Sequence, residues 1–528
     1  MKIVIPMSGI GKRFIDAGYK NPKPLILVDG LPIISYVVNM FDKDDEFIFI
    51  CNENHLNDKS LNLEGYLKKI CKKFHIVPIS EHKLGPVYAV LKAESLLSQD
   101  EPVIVNYCDF TCDWDYLNFK NFIKEQGPDG VIPAYRGFHP HTIWSNYYAY
   151  LDINKSNQVI DIQEKKPFTD NPRDEFASSG TYYFKSSRYM LKYFKKCIEE
   201  NLHVSGEFYV SMAYKPMIDD GLNVITYELE HFMQWGTPQD LEEYLYWSAI
   251  FKTINHNFRI NDFDGLTLMP MAGEGKRFLD RGYTNLKPFI EINSTPMFIQ
   301  ALKFLPETNR VKLISRSDMN LLDFLNNKNF DSSSYDIHEL KFKTDGQAST
   351  CYEALKSEQP DESVTISACD NGMIYDGNKF QKLLDDDNID IIVWGAKSYP
   401  GAIRSPQMYG WIKNDKEGII EEISVKKPIS KNLHEHSIVI GAFTFKRNKD
   451  FIESYHSLID RDGKVNNEFY VDSLINDAIM KGLKCVAFDV DYYICWGTPD
   501  DLETFNYWAD CFDKWQFHSF SKDKSLLK

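Results

Sequence analysis

The sequence predicts an α/β protein of two tandem domains, each a mixed, mostly parallel sheet flanked by helices and carrying a strand-rich lobe. Three observations carry this. Apolar runs of strand length alternate with amphipathic helical stretches, as sheets with crossover helices require. A glycine-bearing loop, Met7-Ser-Gly-Ile-Gly-Lys-Arg-Phe, directly follows the first apolar run. The chain then writes that loop again, as Met271-Ala-Gly-Glu-Gly-Lys-Arg-Phe.

The repeat keeps register. Arg13 and Arg277 stand 264 residues apart, as do Lys23 and Lys287. From Gly85 and Gly346 onward the spacing is 261, and it holds for Asp109/Asp370, Lys166/Lys427, Gly180/Gly441, Glu207/Glu468 and Trp235/Trp496. One register held this long marks duplication of a whole domain, since solenoid repeats have periods of about 20–50 residues. The expected domains are 1–255 and 266–528, joined by a polar linker at 256–265.

In order along the first copy, residues 3–7 form an uninterrupted apolar run and read as a strand buried on both faces. After the glycine loop, 32–41 reads as a helix and 46–51 and 76–78 as strands. An amphipathic helix follows at 87–97, then a strand at 102–107 that leads to Asp109. Ligands in open α/β sheets bind beyond the carboxyl ends of strands, so the glycine loop and Asp109 can share one cleft. The later half is richer in strands, at 131–135, 147–153, Val159–Glu164 and Thr181–Phe184, and reads as an inserted lobe. A helix at 207–217, a strand at 224–229 and a closing helix after Pro238 complete the copy.

A chain of 528 residues exceeds one ordinary core, and 43% hydrophobic with 14% aromatic content fits a folded protein. A formal charge of −16 argues against a protein that coats nucleic acid. Ten cysteines with no Cys-x-x-Cys pair predict free thiols in a reducing compartment. No run approaches the eighteen apolar residues of a membrane span, and no leader pattern opens the chain. A cytoplasmic protein with no membrane or nucleic-acid partner is expected.

The loop is built for phosphate. Glycines let the backbone approach an anion and aim N–H groups at it, and Lys12 and Arg13 add fixed charge. It is neither the dinucleotide fingerprint, since Arg13 stands where the third glycine belongs, nor a P-loop, which ends in Gly-Lys-Ser/Thr.

With Pro22-Lys23-Pro24 about ten residues further on, this loop resembles the Gly-x-Gly-x-Arg…Pro-Lys-Pro signature of the sugar-phosphate nucleotidyltransferases. The second copy keeps the lysine in Leu286-Lys287-Pro288. The resemblance implies two Rossmann-like mononucleotide-binding domains that join a nucleoside triphosphate to a sugar 1-phosphate or similar phosphate and release pyrophosphate. Catalytic roles then fall to Arg13, Lys23 and Lys166, and to Arg277, Lys287 and Lys427. Nucleotide contacts fall to Ser8, Gly9, Gly11, Lys12 and Gly85, and to Ala272, Gly273, Gly275, Lys276, Gly346 and Gln347. Glu164, Gly180, Glu207, Gly441 and Glu468 would face the acceptor.

Asp109 and Asp370 match the family's metal aspartate, which implies Mg²⁺ as cofactor. Much of the family has a second metal aspartate two residues before the Gly-Thr after Trp235; here those positions hold Gln234 and Cys495. Glu164 becomes Val425 in the second copy, which puts acceptor recognition there in question. Asp113 and Asp115 read as spectators, and His139-Pro-His141 as a surface loop of the lobe. A role in surface polysaccharide synthesis and a homo-oligomer are family expectations. The alternatives are a cytidylyltransferase for a small non-sugar phosphate, a regulatory second copy, and a nucleotide-sugar-dependent glycosyltransferase. The last usually needs Asp-x-Asp, which Asp109-Phe-Thr does not supply.

Overall fold

A computed structural model describes residues 1–97, 101–254 and 262–522. The chain divides into two compact units, Met1–Ser248 with Asp510–Lys522, and Ala249–Ala509. The sequence reading placed 510–522 with the second domain. Most of the expected linker, 256–265, lies outside the described residues.

In the first unit the strand Lys2–Met7 is central, with Ile3, Val4 and Ile5 fully buried, because helices cover both faces of a parallel strand. It pairs in parallel with Glu46–Asn52 on one side and Val103–Asn106 on the other, and Phe74–Ile79 extends the sheet beyond Glu46–Asn52. Thr181–Phe184 then joins Val103–Asn106 antiparallel, and Gly130–Tyr135 follows, also antiparallel. Val224–Glu228 closes that edge, parallel to Gly130–Tyr135. Phe176–Ser178, Ala149–Ile153 and Val159–Glu164 add an antiparallel meander, the strand-rich lobe. The sheet is thus wholly parallel only in the half that carries the glycine loop, and the other half is antiparallel apart from the Val224–Glu228 edge. Thr181–Phe184 runs against its neighbours, so the expectation of a mostly parallel sheet holds for that half alone.

Local chemistry explains most element ends. The helix Ser187–Glu199 starts where the Ser186 hydroxyl accepts from the Arg188 N–H, and it buries Met190, Leu191, Phe194 and Cys197 along one stripe. Asp115, read as a spectator, is the N-cap of Tyr116–Gln126, which ends at Gly127. The helix expected over 207–217 begins only at Val210, as a 3₁₀ turn running into Tyr214–Asp219. Glu207 and Phe208 are extended because Glu207 pairs with Val204, while the Phe208 N–H donates to the Leu84 carbonyl. A two-stranded ribbon, Phe110–Asp113 against His231–Gln234, was not read from the sequence.

Residues 510–522 complete the core of the first unit. Trp515 is buried against Tyr36, Trp235 and Tyr244 at ring distances of 5.6, 6.5 and 6.2 Å. His518 Nε2 lies 3.1 Å from the Ser248 hydroxyl.

The second unit repeats the strand order. Asp336–Leu340, Arg310–Arg316, Leu266–Pro270 and Val364–Ser367 run parallel. Ser437–Phe445 enters antiparallel, followed by Ile391–Lys397 and Cys485–Asp489. A ribbon of Asn371–Ile374 with Tyr492–Cys495 matches that of the first unit. All ten cysteines are free. Among the described residues no helix is long and apolar enough to cross a membrane.

Candidate active site

Two adjoining cavities of about 460 and 220 Å³ open where the strands Lys2–Met7 and Val103–Asn106 end. They share Gly11, Lys23, Tyr107, Asp109, Glu207 and Tyr209. The smaller one is lined by Ser8, Gly9, His82 and Gly85, the larger by Lys12, Arg13, Glu164, Lys165 and Gly180.

Each wall has a local cause. Gly11 sits at φ 71, the left-handed conformation that turns the chain from the strand into the short helix Lys12–Asp16. Lys23 opens a 3₁₀ turn between Pro22 and Pro24, whose fixed φ angles aim its side chain. Its ammonium donates to Asp109 Oδ2 at 3.0 Å. Burial works against the Lys23 charge, but Asp109 beside it raises the pKa overall. Asp109 is itself pinned, its carbonyl accepting from the Trp235 N–H at 2.9 Å.

On the acceptor side, Lys165 Nζ donates to Tyr209 Oη at 2.5 Å, and that hydroxyl donates to Glu207. The Ser211 hydroxyl donates to Glu164 at 2.6 Å, and burial raises the Glu164 pKa. Lys166, named from the sequence, is exposed and lines neither cavity; Lys165 before it faces the cleft. The backbone explains the exchange, because Lys165 takes φ 60 at the end of its strand and turns the next side chain away.

On the nucleotide side the sequence missed His82. The Leu84 N–H donates to its Nδ1 at 3.2 Å, so the neutral ring carries its proton on Nε2 and donates it to Ser8 Oγ, also at 3.2 Å. Tyr88 packs on the ring at 4.9 Å. His139 and His141 are buried rather than on the surface, packed on Tyr135 at 4.4 and 5.3 Å.

The second unit has one described cavity at the same place, about 440 Å³. Its lining includes Ala272, Gly273, Gly275, Lys276, Lys287, Gly346, Gln347, Asp370 and Glu468. Lys287 bonds Asp370, as Lys23 bonds Asp109. Arg277, Lys427 and Gly441 are outside that lining, and Lys427 is exposed. Arg316, missed in the sequence, donates to the loop carbonyls of Ala272 and Gly273 at 2.7 and 3.1 Å.

The residues fit a magnesium ion unequally. A methyl group built on Gly236 would lie 3.1 Å from both Asp109 Oδ2 and Gln234 Nε2, so these two groups flank one small space. Asp109 offers the hard oxygen that Mg²⁺ prefers, with substrate phosphates able to supply more. The same space at Gly497 lies 3.3 Å from Asp370 Oδ2 and 3.3 Å from Cys495 Sγ, a softer and poorer partner for magnesium.

Behind this space sits Asp240, which sequence spacing could have flagged through its equivalent Asp501, 261 residues on. The Thr237 hydroxyl and Trp144 Nε1 donate to Asp240 at 2.6 and 3.3 Å. Burial nevertheless pushes its carboxyl up to about 6 from 3.8. A raised folded pKa means that this group favours the fold at low pH, and that the contribution is lost as pH rises through about 6. Asp240→Asn should therefore gain on the unmutated protein between pH 4.5 and 7.5, by up to ~2 kcal/mol. Thermal unfolding at both pH values without nucleotide checks this, and an unchanged difference between the proteins would refute it.

Residues 2–246 match the family model described as Nucleotidyl transferase. The chain is 28% identical over 245 residues to the bifunctional protein GlmU of Methanococcus aeolicus, covering 46% of this chain and 53% of that protein. The UTP–glucose-1-phosphate uridylyltransferase of Haemophilus ducreyi is 24% identical over 35% of this chain and 74% of its own. A solved nucleoside-diphosphate-sugar pyrophosphorylase from Vibrio cholerae aligns with 46% of this chain and 99% of its own, at 20% identity and a TM-score of 0.39. The chain spans about half the length of the GlmU relatives that it matches. In residues 2–246 fall the first glycine loop, Lys23, Asp109 and Glu207.

Proposed function

We propose that the first unit transfers a nucleoside monophosphate from a nucleoside triphosphate to a sugar 1-phosphate or similar phosphorylated acceptor, releasing pyrophosphate. The observation that carries this is the Lys23–Asp109 pair at the junction of two cavities. Loop N–H groups and cations stand on one side of it, and Lys165, Glu164 and Glu207 on the other.

Transfer of this kind is mostly positioning plus stabilisation of charge on the phosphate oxygens. The loop N–H groups with Lys12 and Arg13 hold the phosphates that leave. Lys23, already charged and oriented, turns from Asp109 to a phosphate oxygen. Lys165 binds the acceptor phosphate, while Glu164 and Glu207 take hydrogen bonds from acceptor hydroxyls. Asp109 would hold a magnesium ion together with the substrate phosphates, and that ion when bound neutralises phosphate charge.

We extend the reading to the second unit as a tandem domain of the same kind, and to a cytoplasmic role in making activated sugars for surface polysaccharide. One observation favours a second acceptor class. Tyr107, Tyr148, Tyr182, Tyr209 and Phe232 line the larger cavity beside two carboxylates, which also suits a small phosphate bearing an ammonium group.

Pyrophosphate release from four nucleoside triphosphates, each paired with glucose 1-phosphate, mannose 1-phosphate and phosphocholine, tests the proposal. At least one productive pair is expected, and the first unit's pair is lost on joint Arg13→Ala and Lys23→Ala substitution. No release from any pair would overturn the reading. With Gln234 in place of a second carboxylate, calorimetry on the nucleotide-free protein should show no tight magnesium site, whereas Gln234→Asp should create one. A micromolar site in the unmutated protein would contradict this.

A further inference from the structure

Glu164 has no counterpart by position in the second unit, where Val425 stands 261 residues on. Two other positions change with it. Ser211, which hydrogen-bonds Glu164, corresponds to Asp472, and Ala149, which pairs directly across the strands from Glu164, corresponds to Gly410. In the second unit Gly410 pairs directly across from Val425, so the three positions occupy matching sites in both units.

The three changes fit one another sterically. A methyl group on Gly410 would come 2.4 Å from Asp472 Oδ2, too close for any real contact. The carboxylate therefore occupies the space that an alanine side chain would need. In the first unit residue 211 is only a serine, and alanine at 149 is tolerated. The charge that the strand loses at Val425 returns at Asp472, from the neighbouring helix Val471–Met480, and glycine at 410 makes room for it.

The returning carboxylate also keeps its cation. Lys426 corresponds to Lys165 and is half-buried, its ammonium donating to the Met408 carbonyl at 3.0 Å. Burial lowers the Lys426 pKa, and Asp472 is the foremost charge acting to restore it. Glu468 and Tyr470 repeat the Glu207–Tyr209 hydrogen bond at 2.6 Å. Burial pushes the Asp472 carboxyl up to about 6.

We propose that Asp472, lodged in the space left by Gly410, serves the second unit as the acceptor-facing carboxylate that Glu164 is in the first. The second unit then keeps a whole acceptor half-site, with lysine, carboxylate, tyrosine and Glu468, instead of a degraded one. Because the carboxylate comes from the helix Val471–Met480 and not from the strand that ends in Val425, the hydroxyl or ammonium it accepts from lies elsewhere on the acceptor. The two units therefore select different phosphorylated acceptors. The inference rests on the nucleotidyl-transfer reading for the meaning of acceptor, but its test does not need turnover.

The full chain carrying Arg13→Ala and Lys23→Ala leaves the second unit as the binding site to be read. Calorimetry follows glucose 1-phosphate, mannose 1-phosphate and phosphocholine, with and without nucleoside triphosphate. At least one should bind, and Asp472→Ser should weaken it by about 10- to 100-fold, the loss expected for a hydrogen bond to a charged group. The triple variant Asp472→Ser, Val425→Glu, Gly410→Ala, which installs the first unit's set, should bind whichever probe the first unit prefers. Thermal unfolding of each variant separates lost binding from lost fold. Binding unaffected by Asp472→Ser, or no binding of any probe to the second unit, would overturn the proposal. Asp472-dependent binding without pyrophosphate release would uphold it while refuting nucleotidyl transfer by that unit.

Discussion

Asp109→Asn, in a chain whose second site is silenced by Arg277→Ala with Lys287→Ala, should lower pyrophosphate release by on the order of 10²–10³-fold. The substitution removes the oxygen ligand suited to magnesium and the group that keeps Lys23 charged and aimed. Both side chains of the pair are at most a quarter exposed, so removing one strands the other's charge. Stability should fall by about 1–3 kcal/mol. Lys23→Met combined with Asp109→Asn removes both charges and should recover most of that loss, while activity stays as low or lower. Stability and turnover are thereby separated. Undiminished release from a well-folded Asp109→Asn protein would end the case for this residue.

Gly85→Ala carries the second large effect. Gly85 lies at φ 84, and an added Cβ would sit 2.7 and 2.8 Å from the backbone N and O of Phe208. Those two atoms are committed, since Phe208 N–H donates to Leu84 and Phe208 C=O accepts from Val87. Backbone cannot swing aside as a flexible side chain can. Strain at positive φ and overpacking together should cost about 3–5 kcal/mol. Gly137 is the control: its φ is 82, but nothing lies within 4 Å of its added Cβ. Urea unfolding should therefore show Gly137→Ala losing only the left-handed penalty of about 1–2 kcal/mol. Equal losses at both positions would disprove the clash. Gly346, with its Cβ position 2.6 Å from Phe469 N, should behave like Gly85.

Much of this was legible in the sequence because the signals were local. The central strand announced itself as an apolar run, and Val159–Glu164 and Thr181–Phe184 have the bounds read for them. Loop glycines, Lys23 and Asp109 were named at positions that the structure gathers in one cleft. What failed was set by contacts distant in sequence or by single torsions. Lys165 and Lys166 are indistinguishable in composition, and only the left-handed turn at Lys165 decides which one faces the cleft. His82 faces the cavity because Leu84 and Ser8 hold its ring, which no spacing reveals. Val425 reads as a lost acceptor contact, and the carboxylate proposed to take its place, Asp472, lies in a helix 47 residues further on, where spacing from Glu164 does not point.

The seating of Asp510–Lys522 in the first unit has a consequence for biogenesis. Tyr36, Trp235 and Tyr244 emerge from the ribosome long before Trp515, the residue that covers them. Until then the first unit exposes part of its aromatic core, and only a nascent chain translated past Trp515 can bury it. The unit made first is thus finished last. Cutting the gene between the two glycine loops would yield a first half that presents a sticky aromatic surface, and a second half with a tail that has lost its seat.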